Sequence, residues 1–119
     1  MKYIDMEKAK QYYKRFIYQL KAFYDNVPNI ELDEFITIFS STQGDRIIWH
    51  LKTFRSITSS ISKIYGIQYC SSAIRDAEKK LENSEYFIER REGIETNWLT
   101  HKNTRYTEYV LQDKLGAIA

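Results

Sequence analysis

The chain of 119 residues contains one cysteine, one proline, four glycines and two histidines, and each shortage removes a class of structure or chemistry. A lone Cys70 cannot close an intramolecular disulfide, so a reducing interior, the cytoplasm, is the expected location. With His50 and His101 as the two imidazoles there is no zinc-ligand spacing, and no metal or other cofactor is expected. The same two histidines, far apart in sequence, do not make the metal-holding pair that a nickase tyrosine needs. The glycines at 44, 66, 93 and 116 form neither a phosphate loop nor a dinucleotide fingerprint, and no serine sits in a nucleophile-elbow context. An enzyme is therefore not expected. No internal repeat or low-complexity tract occurs. No apolar run approaches the length of a membrane span, and Asp5 and Glu7 argue against a signal peptide, so no membrane partner is expected.

The composition is globular, with 43% hydrophobic and 15% aromatic residues, and the length suits a single domain over 1–119. Ten tyrosines suit a core edge, an oligomer interface or a phosphate contact alike. The net charge of +2 is too small to imply a polyanionic partner, but its distribution is uneven. Residues 1–28 carry six basic and three acidic side chains, and residues 29–44 carry only Glu31, Asp33 and Glu34. Residues 45–83 hold seven basic against four acidic, whereas 84–119 hold five against six.

Met6, Ala9, Tyr13, Phe16, Ile17, Leu20, Phe23, Tyr24 and Val27 fall within an arc of about 120° on a helix, with Lys10, Lys14 and Lys21 along one edge. Such a stripe can be buried in its own domain or against the same helix of a second chain. Pro28 and Asn29 are expected to stop the helix, and Asn29 to cap the next, whose Leu32, Phe35, Ile36 and Phe39 share a face. Asp45 reads as the N-cap of a third helix with Ile47, Leu51, Phe54, Ile57, Ile61 and Tyr65 on one side. That helix either runs unbroken to Tyr65 or breaks near Arg55 and Ser56. A further helix has the narrow seam Cys70, Ala73, Ile74, Ala77 and Leu81. Tyr86, Phe87 and Ile88 are strand-favouring, and Gly93 and the polar stretch Glu95 to Thr104 separate them from TRYTEYVL, which predicts a β-hairpin with a long tip. The alternative is a helix continued through Arg91, because Ile88 extends the Leu81 seam.

The helix ending at Tyr65 and Gly66, the helix containing SSAIRDAEKKLE, the run FIERREG and the return TRYTEYVL together resemble the winged-helix family of DNA-binding proteins, over about residues 45–112. The resemblance implies an α+β, mainly α-helical fold: a winged helix-turn-helix with a long N-terminal amphipathic helix and a C-terminal β-hairpin wing. Against the usual pattern, Asn83, Ser84 and Glu85 replace a tight glycine before the first wing strand, and an ordinary helical bundle is the alternative fold.

With the small-residue seam inward, the second of these helices would present Ser72, Arg75, Asp76 and Lys79, with Tyr69 and Ser71 at its N-terminal end. Arg can pair bidentately with guanine, Ser and Lys can meet base or phosphate, and Asp76 can steady Arg75 or Lys80 or accept from cytosine. The plain alternative is a solvated face with Asp76 and Lys80 as an i, i+4 pair. Lys102, Asn103, Thr104 and Arg105 would lie near the wing tip, within reach of the minor groove or backbone. Arg90 and Arg91 are secondary candidates, or else partners of Glu89, Glu92 or Glu108 across the strands. His50 reads as a hydrogen-bonded structural residue, and Trp49 as either covered or part of a contact surface.

The resemblance implies a sequence-specific binder of double-stranded DNA, a small transcriptional regulator of a kind common in prokaryotes and their viruses or mobile elements. Residues 1–28 would form the dimerisation helix of a homodimer, through Met6, Tyr13, Phe16, Ile17, Leu20, Phe23 and Tyr24, with 29–119 as the winged-helix core. The alternative is an all-helical protein-interaction module of the small phage or viral inhibitor type, without DNA binding, acting through the first helix and Trp49.

Overall fold

Asp5 opens the first helix: its carboxylate accepts from the amides of Glu7 at 3.1 Å and Lys8 at 3.2 Å, satisfying donors that a helix start leaves unpaired. This is α1 (Met6–Phe23) in a computed structural model that describes residues 5–116. Residues 1–4 of the expected N-terminal segment, like 117–119, lie outside the described residues. α1 ends before Pro28 is reached, where Tyr24 turns extended and its amide bonds Leu20 O at 3.0 Å.

The apolar stripe of α1 is used at home. Phe16 and Leu20, expected at a dimer contact, are 2% and 0% exposed within the single chain. The Phe16 ring lies 5.5 Å from Phe35 and 5.2 Å from Phe39 of α2 (Leu32–Phe39), an arrangement of tilted and edge-on aromatics. Burying two such side chains contributes about 2–3 kcal/mol each. Tyr13, Ile17 and Tyr24 are half-buried against the same cluster, which leaves Met6 and Phe23 as the exposed members of the expected dimer set. Among the described residues a single core runs from α1 to the last strand.

Two expected caps move. α2 starts after Glu31, and Asn29 donates from Nδ2 to the Glu31 carboxylate at 2.9 Å instead of capping. α3 (Gln43–Phe54) is capped by Thr42, whose hydroxyl accepts from Asp45 N at 3.2 Å. Asp45 therefore lies in the first turn, where its carboxylate meets Lys80 at 3.0 Å.

The long third helix breaks. Arg55 adopts φ 75°, a left-handed conformation uncommon outside glycine, and its amide closes on Leu51 O at 2.8 Å. The chain then forms β1 (Ser56–Thr58), so Ile57, expected on a helix face, is a fully buried strand residue. Thr58 caps the short α4 (Ser59–Ser62), and a 3₁₀ turn (Lys63–Tyr65) ends at Gly66 with φ 72°. α5 (Cys70–Leu81) buries Ala73, Ile74, Ala77 and Leu81 as its seam predicts. The small seam lets α3 approach: a Cβ on Gly44 would collide with the Asp76 carboxylate and stand 2.9 Å from Ala77 N.

Ser84 makes the turn after α5. Its hydroxyl donates to Leu81 O at 2.7 Å and accepts from Tyr86 N at 3.1 Å, turning the chain from α5 into β2 (Tyr86–Thr96). β2 pairs antiparallel with β3 (Asn103–Asp113) from Tyr86↔Asp113 to Thr96↔Asn103, which excludes both a helix through Arg91 and an all-helical fold. The expected polar stretch Glu95 to Thr104 shrinks to a loop of residues 97–102. β1 joins the far edge of β3, giving the order β1-β3-β2 and an α+β architecture with five α-helices and a three-stranded antiparallel sheet among the described residues. Trp49 is half-buried against the core: its ring sits 6.3 Å from Tyr65 and 6.4 Å from Phe16, and Nε1 donates to Glu34 at 3.2 Å.

Candidate nucleic-acid interface

α5 has three faces with different work. Its seam enters the core, and Asp76 lies on the flank toward α3, where its carboxylate accepts from Gly44 N at 3.0 Å. Asp76 is thus a capping group for α3 and does not join the outer face expected of it. Lys80 stands between Asp45 at 3.0 Å and Asp76 at 3.9 Å and also donates to the Thr42 hydroxyl. The Lys80 ammonium holds the Asp45 carboxyl below the usual carboxylate range, aided by the Thr42 bonds. On the other flank Glu78 takes a bidentate pair from Arg90, with N···O distances of 2.6 and 3.1 Å. Arg90 also lies 5.7 Å from the centre of the Tyr109 ring, so its guanidinium is committed to structure. Arg91 pairs with Glu89 at 2.9 Å, which is a bond within its own strand and not across the sheet.

What remains outward on α5 is Ser72, Arg75 and Lys79, all exposed and within an arc of about 60° at helical spacing. Among the described residues no ion pair includes Arg75 or Lys79. Because the acids of this helix are turned aside and matched, its outer face is left with two uncompensated cations. Tyr69, 65% exposed, and the exposed Ser71 stand at the N-terminal end. That end has no side-chain cap and no acidic residue in its first turn, so its amides and dipole favour an anion.

The hairpin extends beyond the three-stranded part. β1 covers β3 only at Glu108, Tyr109 and Val110, so five rungs from Glu92↔Thr107 to Thr96↔Asn103 project as a two-stranded ribbon. At strand rise these rungs reach about 17 Å. Alternation puts Asn103 and Arg105 on the sheet face of Leu111, the face that meets α5, and Thr104 on the opposite one. Asn103 is further engaged by the Thr96 hydroxyl at 2.7 Å. Of the four expected tip residues, Lys102 and Arg105 thus carry free charge, Arg105 on the α5 side.

The loop is closed by Asn97 N to Lys102 O at 2.9 Å, and the Asn97 side chain accepts from Leu99 N and Thr100 N. It raises Trp98 and Leu99 into solvent, 83% and 71% exposed. Both fall outside the expected site residues because the stretch 95–104 reads as polar; the signal was a Trp-Leu pair inside a turn-forming stretch, which nothing in a core would require.

His50 is fully buried, with Nε2 2.9 Å from the Tyr24 hydroxyl and Nδ1 2.5 Å from the Tyr65 hydroxyl. Burial lowers its pKa to about 4 and raises that of Tyr24 to about 12. Burial also pushes the Cys70 thiol up, which suppresses its thiolate. Among the described residues no cluster of His, Cys, Asp or Glu could hold a metal ion, and no helix is long and apolar enough to cross a membrane.

Comparison with protein-family models, with curated proteins and with solved structures finds no match to this chain.

Proposed function

We propose that the chain is a winged-helix protein that binds double-stranded DNA, with α5 entering the major groove and the β2–β3 hairpin lying along the neighbouring backbone or minor groove. The observation that carries this reading is the sorting of charge on α5. Asp76 and Glu78 are matched by Lys80 and Arg90, while Ser72, Arg75 and Lys79 face outward unmatched. The strand order β1-β3-β2, with α5 leading directly into a projecting hairpin, supports the same reading. Arg75 would read a base edge, Lys79 and the α5 N-terminus would hold phosphates, and Arg105 and Lys102 would add backbone contacts from the hairpin. Transcriptional regulation by paired subunits on a palindromic site is the proposed use, with pairing through surfaces other than the buried Phe16 and Leu20.

The test is fluorescence anisotropy on labelled duplex DNA across a salt series, comparing the native chain with the Arg75→Ala, Lys79→Ala double variant. Native binding should weaken steeply with salt. The double variant should bind at least about tenfold more weakly, with a salt slope shallower by about one to two. Equal affinities and slopes for both proteins, or no binding at low salt, would refute the reading.

A further inference from the structure

A cleft of about 580 Å³ opens between α1, α2 and the 3₁₀ turn, on a part of the molecule built from elements other than α5 and the hairpin. Its wall is aromatic and aliphatic. Phe35 and Phe39 stack with ring centres 4.6 Å apart, Phe16 closes the base, and the partly exposed Ile36 and Ile64 complete the apolar surface. Around this surface stand three exposed cations, Lys8 and Arg15 from one edge of α1 and Lys63 from the 3₁₀ turn. None of the three takes part in an ion pair among the described residues. Asp5 is the one carboxylate of the lining, and it is bonded to the first amides of α1.

An apolar hollow of this size with a few convergent polar groups is the usual form of a small-molecule site. Three cations against the one helix-capping carboxylate of Asp5 leave the cleft net positive, which selects against cations, and its apolar wall gives little to an inorganic anion. We propose that the cleft binds a small amphipathic anion, an aliphatic or aromatic carboxylate. Its apolar part lies against Phe35, Ile36, Phe39 and Ile64, and its carboxylate is held by Lys8, Arg15 and Lys63. The site does not depend on whether the chain binds DNA.

The probe is sodium octanoate, titrated into isotopically labelled full-length protein and followed by amide chemical shifts, with octan-1-ol and octylammonium as uncharged and oppositely charged controls. Octanoate should saturate a single site whose shifts map to α1, α2 and the 3₁₀ turn, with a Kd below about 1 mM. Three partly solvated ion pairs are worth about tenfold together, so octanol, and octanoate with the Lys8→Gln, Arg15→Gln, Lys63→Gln variant, should each bind at least about that much more weakly. All three substitutions are on exposed side chains, and unchanged shift dispersion would verify that the variant is folded. Absence of octanoate shifts in the cleft, equal binding of octanol or octylammonium, or undiminished binding by the triple variant would each overturn the assignment.

Discussion

Acid should destabilise this fold well before its carboxylates titrate, because His50 is buried neutral between two tyrosine hydroxyls. A neutral imidazole offers one donor and one acceptor, so one hydroxyl accepts from the ring and the other donates to it. Protonation makes both ring nitrogens donors and places a charge inside the core, where desolvation outweighs the one favourable backbone bond at Ser56. Burial accordingly depresses the pKa from 6.5 to about 4. The unfolded chain takes up the proton near its ordinary pKa while the folded chain resists until about 4. This contribution is therefore intact above about pH 6.5 and is lost as pH falls toward about 4. Moving the pKa from 6.5 to about 4 corresponds to about 3 kcal/mol in all, of which about 2 kcal/mol is gone by pH 5. Urea unfolding followed by far-ultraviolet circular dichroism at about pH 7, 6 and 5 measures this interval while unfolded carboxylates stay ionised. His50→Gln, less stable at neutral pH because the tyrosine contacts are disturbed, should lose much less stability over the same interval. If it lost as much as the native chain, the burial of a neutral His50 would not be the cause.

Phe16→Ala should cost about 3–5 kcal/mol in urea unfolding, because its ring is enclosed by Phe35 and Phe39 of the same chain. A cost below about 1 kcal/mol would contradict the burial of α1 against α2. Gly44→Ala should lower the thermal midpoint by forcing α3 away from Asp76 and Ala77, at a cost of at least about 1–3 kcal/mol; an unchanged midpoint would contradict the close crossing of α3 and α5.

Local pattern was enough wherever one element answers to one periodicity. The stripe of α1, the shared face of α2 and the small-residue seam of α5 are legible because a helix returns every third or fourth side chain to the same side, and these sides became the core. Tyr86, Phe87 and Ile88 likewise read as a strand because β-branched and aromatic residues suit a pleated surface. The break at Arg55 was not legible as a certainty. No glycine or proline marks it; it forms because Leu111 N bonds Arg55 O and β3 supplies a partner for Ser56 to Thr58, a strand far away in sequence.

The candidate interface divides in the same way. Position along the chain determined that Ser72, Arg75, Asp76 and Lys79 stand off the seam of α5. Tertiary contact alone decided that Asp76 turns to Gly44, that Glu78 and Arg90 match each other, and that Arg75 and Lys79 remain free. The sequence by itself likewise determined that α1 has one apolar side, but whether that side meets its own domain or a second copy depends on which surface it finds. Phe35 and Phe39 give Phe16 that surface within the chain. Periodicity acts over a few residues and reports which side is apolar, whereas charge pairing and burial depend on neighbours brought together from distant segments by the fold.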